Sequence, residues 1–562
     1  MHHHLSLRSK LIIMVSVMAS LFLVALDQTI IATALGKIVE EFNAFSSLSW
    51  IVTAYLITTT ITVPIAGKLS DIFGRKKILL IGVAIFVGAS LMSGVSGNIN
   101  ELILWRAVQG IGGGIITANA FTIVGDLFAA RERGRWQGLI GAVFGLASVV
   151  GPLLGGWLTD GHAFWGVTTD WRWTFFINVP IGILAFVLIS IFSPALKHAK
   201  KIRIDYAGAA LLSVALAVLI LAVDNTESIF ADLMSATGLT LAGLRIIMFS
   251  IVALATAGFI WVEHKAKEPI LPLKFFKNRN YVTVLIIATL FGAAFMGSIL
   301  YLTQFNQQVF GASPTDSGLM LLPMVAGIMT SSILSGQIIA RTGRYKIFMQ
   351  VGFLAATAAM IALTFLSPEM SYGYEAFVMV ILGLGMGVAM PVLNLAIQNE
   401  VEQKDLGVAT SSSQLFRSLG SVIGTAVFGA MLTAGILTQV PAMQETTYIK
   451  TLSNSAVVEK LGAIDDPNTL LTLNMPDIKK EITAGAEKQF AQLPPPADEK
   501  AKAAFTESQD EFASVVTHAF SDSLQRIFIV AASLIGMAAV LVFTLKEKKL
   551  HSAKPEATPG EM

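Results

Sequence analysis

The 562-residue chain contains no cysteine, which excludes disulfides, zinc–thiolate sites and thiol chemistry. Charge is also scarce, since 14% of the residues are charged, whereas soluble proteins typically have about 25%. The formal net charge of +2 gives no reason to expect a nucleic-acid partner. The sequence shows no phosphate-binding Gly-Lys-Thr/Ser loop, no metal-ligand cluster and no paired nucleophile and base. We therefore expect neither an enzyme nor a bound metal or cofactor.

Long apolar runs take the place of charge, because hydrophobic residues make up 54% of the chain. A bilayer core requires about 20 apolar residues in a helix, and fourteen segments are near that length. The sequence therefore predicts an all-α polytopic membrane protein. The predicted spans are Leu11–Leu35, Leu48–Ala66, Ile78–Val95, Leu102–Val124, Leu139–Leu158, Trp173–Phe192, Tyr206–Val223, Leu244–Val262, Tyr281–Leu302, Gly318–Ala340, Ile347–Leu366, Ala376–Ile397, Ala409–Leu437 and Leu524–Leu545.

Lysine and arginine predict the orientation of these spans. Alternate loops are basic, for example 68–77 and 197–203, while the short loops between them hold almost no cations. Cytoplasmic loops carry the excess of these residues. The basic loops are therefore expected in the cytoplasm, and the even number of spans places both termini there. The predicted location is the cytoplasmic (inner) membrane.

A short internal repeat predicts the domain layout. The loops Gly67–Lys77 and Gly336–Lys346 align their Gly, Gly-Arg and Lys positions without gaps. Transporters often contain repeated helix sets, so the match predicts two six-helix bundles separated by spans 7 and 8. The expected layout is an N-terminus at 1–10, a first bundle at 11–193, linking helices with their loops at 194–280, a second bundle at 281–545 and a tail at 546–562.

One external segment, 438–523, is too long for a simple turn between spans 13 and 14. It is polar and includes three consecutive prolines at 494–496. Two alternatives are open for it: a small helical hairpin or cap, or a partly disordered loop.

The loop after span 2 reads Gly-Lys-Leu-Ser-Asp-Ile-Phe-Gly-Arg-Lys-Lys from Gly67, and it resembles the signature loop of the major facilitator superfamily. The resemblance implies a lock at the cytoplasmic side made by Asp71 and Arg75. A loop that only sets topology would explain the cations but not the acid. The second-half loop keeps Arg344 but lacks the acid, so any lock there is incomplete. The residues expected to control conformation are Gly67, Asp71, Gly74, Arg75, Lys76 and Arg344.

Two motifs place opposite charges inside predicted spans. Asp27 follows Leu26 in an apolar helix, where a carboxylate costs about 2.5–3.5 kcal/mol and usually marks an ion or substrate path. This motif, Leu26–Leu35, resembles that of the 14-helix drug:proton antiporter branch, and the segment Arg106–Gly114 resembles a motif of the same superfamily. The resemblance implies that Asp27 carries the coupled proton and that Arg106 tunes it. The alternatives are a static, paired Asp27 and an Arg106 that extends outward to the surface.

Span 5 contains the segment Gly145–Gly156, which is rich in small residues. From the residues alone it predicts a bent, closely packed helix. It resembles the antiporter motif of the superfamily, and this resemblance implies export. The motif residues are Gly145, Gly151, Pro152, Gly155 and Gly156.

Polar and aromatic residues inside the spans are candidates for the substrate cavity: Gln28, Trp50, Tyr55, Asn119, Tyr301, Gln304, Asn394 and Gln414. No acid is found in spans 10 or 13, which argues against dicationic cargo. The predicted function is proton-coupled efflux of small amphiphilic molecules or drugs by alternating access. A lipid or lipid-precursor translocase on the same fold is the alternative, and an uptake symporter or a non-transporting sensor fits less well. The expected partners are the cargo, protons and membrane lipids, with the chain acting as a monomer.

Overall fold

The computed structural model describes residues 6–42, 48–159, 161, 163–164, 167–193, 205–223, 226–312, 314–452, 470, 473–474, 476–491, 494, 497–548 and 550. Within these ranges, 14 helices are long and apolar enough to cross a membrane, which confirms the predicted number. They are α1 (Leu7–Phe42), α2 (Leu48–Phe73), α3 (Arg75–Gly94), α4 (Ile99–Leu127), α5 (Ala130–Thr159), α6 (Trp173–Phe192, interrupted at Ile177), α7 (Tyr206–Val223), α8 (Leu241–Lys265), α9 (Arg279–Gln308), α10 (Leu322–Thr342), α11 (Lys346–Leu363), α12 (Tyr372–Gln398), α13 (Leu406–Leu437) and α14 (Ala497–Thr544).

Shorter elements connect these helices. The short α-helices are Thr226–Ile229, Ala231–Thr237, Pro314–Met320, Val440–Glu445, Thr447–Leu452 and Pro476–Phe490, and the 3-10 turns are Leu273–Lys277 and Gln403–Asp405. Strands β1 (Ala163–Phe164) and β2 (Val167–Thr168) form one antiparallel hairpin between α5 and α6, with Ala163 opposite Thr168.

The helices form two halves that repeat the same neighbour relations. In the first half α2 and α3 pack on α4, and α1 packs on α5; in the second half α10 and α11 pack on α12, and α9 packs on α13. The halves meet where α5 contacts α10 and α12, and where α2 and α4 contact α13. In this arrangement α2 contacts α13, which is the equivalent of α5, and α5 contacts α10, which is the equivalent of α2.

Helices α7 and α8 form a pair beside the seam between α2 and α13. Leu212 and Leu216 of α7, Phe259 of α8 and Leu415 of α13 share one apolar cluster, against which Ile61 of α2 also packs. The linking helices therefore cover this side of the seam with apolar surface.

The last helix differs from its prediction, because no break separates the external segment from span 14. Helix α14 is continuous from Ala497 to Thr544, 48 residues in all, or about 70 Å at 1.5 Å per residue. A bilayer core is roughly 30 Å thick, so more than half of α14 lies beyond it. The apolar run Leu524–Leu545 predicted only the membrane-spanning part of this helix. The polar residues before it belong to the same helix, but their composition did not predict that they continue it.

The described part of the external segment is folded around the free end of α14. Tyr448 packs on Phe505 and Phe512 with ring centroids 5.6 and 5.3 Å apart. Gln509 donates to the Tyr448 hydroxyl at 3.2 Å, and Lys502 pairs with Glu487 at 2.6 Å. We call the helices Val440–Glu445, Thr447–Leu452 and Pro476–Phe490, together with the first part of α14, the α14 cap.

Candidate functional site

The two halves are joined at the end of the bundle that carries the basic loops, here called the basic end. Helices α2 and α13 run antiparallel there. Asp71 Oδ2 accepts a hydrogen bond from the backbone N–H of Val408 at 3.2 Å. Deeper in the bundle along the same two helices, Thr60 Oγ1 lies 3.2 Å from Ser418 Oγ. On the other seam, Gln137 of α5 donates to Gln398 of α12 at 3.0 Å. These contacts close the basic end.

Arg75 is the centre of a charge cluster at this closed end. Its guanidinium pairs with Asp71 and, at 2.8 Å, with Asp126 of α4, and it also donates to Ser70. Gly74 makes the arrangement possible, because its φ of +94° lets the chain turn sharply between α2 and α3. Asp71 therefore links the cation to the first turn of α13, where a helix favours negative charge.

The other residues predicted to control conformation, Gly67, Lys76 and Arg344, lie outside the Arg75 charge cluster. Gly67 lies against Ser411 of α13, and Lys76 donates to the Ser190 carbonyl at 2.7 Å. Arg344 is exposed and forms no ion pair within the described ranges. The second-half loop thus has no counterpart to the Arg75 cluster in the part of the chain that the structure describes.

Asp27 and Arg106 meet inside the first half, where each is 1% exposed. Arg106 Nη1 lies 2.5 Å from Asp27 Oδ2. Gln109 and Asn178 donate to Asp27 Oδ1 at 2.8 and 3.2 Å, so both carboxylate oxygens are satisfied. Breaking such a buried pair by removing one partner costs about 3–5 kcal/mol.

Aromatic rings enclose the cation of this pair. The Arg106 guanidinium lies 4.4 Å from the Tyr55 ring centroid and 5.7 Å from that of Phe175. It also donates to Gln109 at 2.8 Å and to the Ile51 carbonyl at 3.4 Å. Arg106 therefore points into the half, toward Asp27.

The small residues of α5 divide between two neighbours. A Cβ on Gly151 would lie 2.0 Å from Thr29 Oγ1, and one on Gly155 would lie 2.8 Å from the Ile30 carbonyl. Gly145 and Pro152 face the second half, at Met329 and Gly318, and Gly156 is half-buried. Helix α1 thus contacts α5 two residues after Asp27, where Thr29 donates to the Ala147 carbonyl at 3.0 Å.

The predicted cavity residues do not form one cluster. Gln414 donates to Asn394 at 3.4 Å, and Tyr301 donates to the Thr425 carbonyl at 3.3 Å. Asn119 is fully buried and donates to the Ile115 carbonyl of its own helix. The ring of Tyr55 is covered by the Arg106 guanidinium. Gln28 is exposed, and Trp50 and Gln304 are half-buried.

Several buried or half-buried polar residues were not among the predicted site residues: Gln109, Asp126, Asn178, Glu375 and Arg417. Glu375 was placed just outside span 12, yet α12 begins at Tyr372 and Glu375 is fully buried. The Asn306 side-chain amide faces its two carboxylate oxygens, and in the amide orientation that satisfies both groups the nitrogen donates to them at 2.8 and 3.0 Å. Charged residues within apolar runs were the available signal for Glu375 and Arg417.

At the end opposite the basic end, a surface clamp holds α1 to the segment before α6. Arg172 donates to both Glu41 oxygens, at 2.7 and 3.0 Å, and Trp171 Nε1 donates at 2.6 Å. The hydrogen bond from Arg172 lowers the pKa of Glu41 from its ordinary value. Because both side chains are substantially exposed, this pair contributes little to stability.

Replacing Asp71 by asparagine is expected to open the basic end. The change removes the charge that meets Arg75 and the first turn of α13, a contact worth up to about 2 kcal/mol, so the open-to-closed ratio rises by a factor of about 5–30. Spin labels at Phe73→Cys and Glu402→Cys measure the separation across this end, and the cysteine-free chain ensures that only those sites react.

The control for this measurement is Asp232→Asn, which removes an acid from the short helix Ala231–Thr237, outside the cluster. A longer distance population is expected for Asp71→Asn alone. Identical distance distributions in all three proteins would show that the Arg75 cluster does not hold the end closed.

Comparisons with known proteins agree with this geometry. The sequence model of the Major Facilitator Superfamily matches residues 17–425. The multidrug transporter protein MdtP of Bacillus subtilis is 34% identical over 542 residues, covering 96% of this chain and 93% of that protein. Multidrug resistance protein 3 of the same organism is 35% identical over 422 residues, covering 75% and 79%.

A solved structure extends the comparison to the fold. The proton:xylose symporter XylE superimposes with a TM-score of 0.54 at 16% identity, covering 75% of this chain and 88% of that one. At this identity the likeness concerns the fold alone.

Proposed function

The chain belongs to the major facilitator superfamily and is a multi-pass membrane transporter, and from this premise we propose that it exports small amphiphilic molecules or drugs across the cytoplasmic membrane in exchange for protons. Export is supported by the relatives named as multidrug transporters. Proton exchange is supported chiefly by one observation, the buried pair of Asp27 and Arg106.

The pair can couple protonation to movement because it is buried and fully satisfied. A proton on Asp27 removes its attraction to Arg106 and leaves an unpaired cation in a low-dielectric interior. The conformation that gives Asp27 and Arg106 other surroundings is then favoured. Thr29 lies two residues after Asp27 on α1, and it packs against a glycine of α5. A movement of α1 at Asp27 would therefore displace α5, which contacts the second half.

Alternating access then follows from the two seams. With the basic end closed by Asp71, Arg75 and Asp126, cargo leaves and protons enter from the opposite side. Proton uptake at Asp27 favours opening of the basic end, where the proton is released and new cargo binds. One proton moving down 100 mV supplies about 2.3 kcal/mol, enough for roughly a 50-fold gradient of a neutral cargo.

Reconstitution into proteoliposomes tests the proposal. A pH gradient is imposed, and a panel of fluorescent cationic, neutral and lipid-like molecules is followed. Gradient-dependent movement that stops when an ionophore collapses the gradient is expected for at least one class. Movement that is equal with and without the gradient would instead indicate a facilitator, and movement of lipid-like molecules alone would indicate a translocase.

A further inference from the structure

Arg417 is a cation near the middle of α13. It lies eleven residues after the start of the helix at Leu406, or about 16 Å from the basic end along the axis. That distance is roughly half of a 30 Å bilayer core. A charged residue at this depth is costly and rare, and it usually faces a partner or a pathway.

The interior side of α13 carries Arg417. Leu415 packs with the linking helices, in a cluster that includes Leu212 and Phe259. Two residues along a helix correspond to a rotation of about 200°, so Arg417 lies on the side opposite Leu415. Its guanidinium donates to Gln414, and Gln414 donates to Asn394 of α12 at 3.4 Å. The three side chains form a polar row within the second half.

No carboxylate compensates this cation in the part of the chain that the structure describes. Asp27 is held by Arg106, and Arg75 takes both Asp71 and Asp126. Gln414 uses one donor of the guanidinium, which has five. Because Arg417 is only half-buried, donors remain accessible to a ligand.

The next residue fixes the level of Arg417 relative to the seam. Ser418 Oγ lies 3.2 Å from Thr60 Oγ1 of α2, and this hydrogen bond lies farther from the basic end than the one between Asp71 and Val408. Arg417 therefore lies at the level of this hydrogen bond between α2 and α13. Cargo that enters between the halves from the opposite end would reach this row before the closed end.

We propose that Arg417, held in place by Gln414 and, through it, by Asn394, binds the anionic head group of an amphiphilic cargo. The proposal rests on the transport function above and specifies its substrate class: amphiphiles that carry a carboxylate or phosphate, either alone or as zwitterions. A guanidinium binds both groups through paired hydrogen bonds. In a low-dielectric site an anion compensates the half-buried cation, whereas a purely cationic cargo is repelled.

Binding to the purified full-length protein in lipid nanodiscs tests this assignment. The probes are a dansyl-labelled fatty acid, its uncharged methyl ester, a quaternary ammonium analogue and a phosphate monoester of the same chain length. The parent is expected to bind the two anions more tightly than the ester and the ammonium compound. A preference for only one anion would identify which head group the site takes.

Arg417→Gln is expected to weaken binding of the carboxylate probe by roughly tenfold or more and to leave binding of the ester within about twofold. Arg417→Lys, which keeps the charge but not the paired geometry, is expected to lie between them. Retained ester binding and an unchanged melting temperature show that the variants are folded. Arg526→Gln, at an exposed cation of α14, is the matched control and should bind like the parent.

Equal carboxylate binding by the parent and Arg417→Gln would overturn the assignment, whatever the transport assay shows. If Arg417→Gln loses carboxylate binding but no probe is moved by a proton gradient, the anion site stands and the antiport proposal fails. The two outcomes are therefore separable.

Discussion

Replacing Asp27 by asparagine is expected to abolish proton-driven accumulation of cargo: the ratio sustained by 100 mV should fall from roughly 50 toward 1. Asparagine keeps the size of the side chain but cannot take up or release a proton. It can still receive the hydrogen bonds from Gln109 and Asn178 through its oxygen. The measurement is cargo flux in proteoliposomes with and without a pH gradient.

Two controls separate lost coupling from lost structure. Glu41→Gln removes another acid of α1, in the exposed clamp with Arg172, and should transport like the parent. Exchange of labelled for unlabelled cargo without any gradient should persist in Asp27→Asn, because binding and movement do not require the proton. Normal coupling in Asp27→Asn would show that the carboxylate only holds Arg106 in place.

Valine at Gly155 is expected to produce the largest structural defect. A Cβ there would lie 2.1 Å from Thr33 Oγ1 and 2.8 Å from the Ile30 carbonyl. The second atom belongs to the backbone of α1 and cannot rotate away, so the two helices must separate. Overpacking of this kind costs about 1–3 kcal/mol, and we expect a lower melting temperature together with loss of transport.

Gly88→Val is the matched control, since a Cβ on Gly88 of α3 meets nothing within 4 Å. It should melt and transport like the parent, apart from the small helix-propensity difference between glycine and valine. If Gly155→Val melts and transports as Gly88→Val does, the α1–α5 contact has no special role. A Gly155→Val protein that is stable but moves cargo without coupling would locate the antiport requirement in that contact.

The sequence was most informative where one short segment carried its own physical signal. Long apolar runs predicted 14 spans, because a fixed bilayer thickness sets a minimum helix length. Asp27 and Arg106 could each be recognised as charges inside such runs. That they meet is a tertiary fact, since 79 residues separate them along the chain.

Other features depended on partners that no local pattern encodes. Asp126 follows the predicted apolar span Leu102–Val124 and resembles an ordinary boundary residue, yet it lies 2.8 Å from Arg75. Glu375 lies one residue before the predicted span 12, because the apolar window begins at Ala376, while the Asn306 amide gives its carboxylate a partner inside the bundle. The cytoplasmic orientation of the basic end and the boundaries of the two bundles stay predictions.

Helix α14 makes the α14 cap an extension of the second half. Its 48 residues are continuous, and they pack on α9 and α11 within the bundle and on Pro476–Phe490 beyond it. A helix of this length resists bending, so the cap should swing with the second half whenever the halves rock. An antibody fragment bound to the cap would thus serve as a rigid marker, reporting the tilt of one half in particle images without touching the transport path.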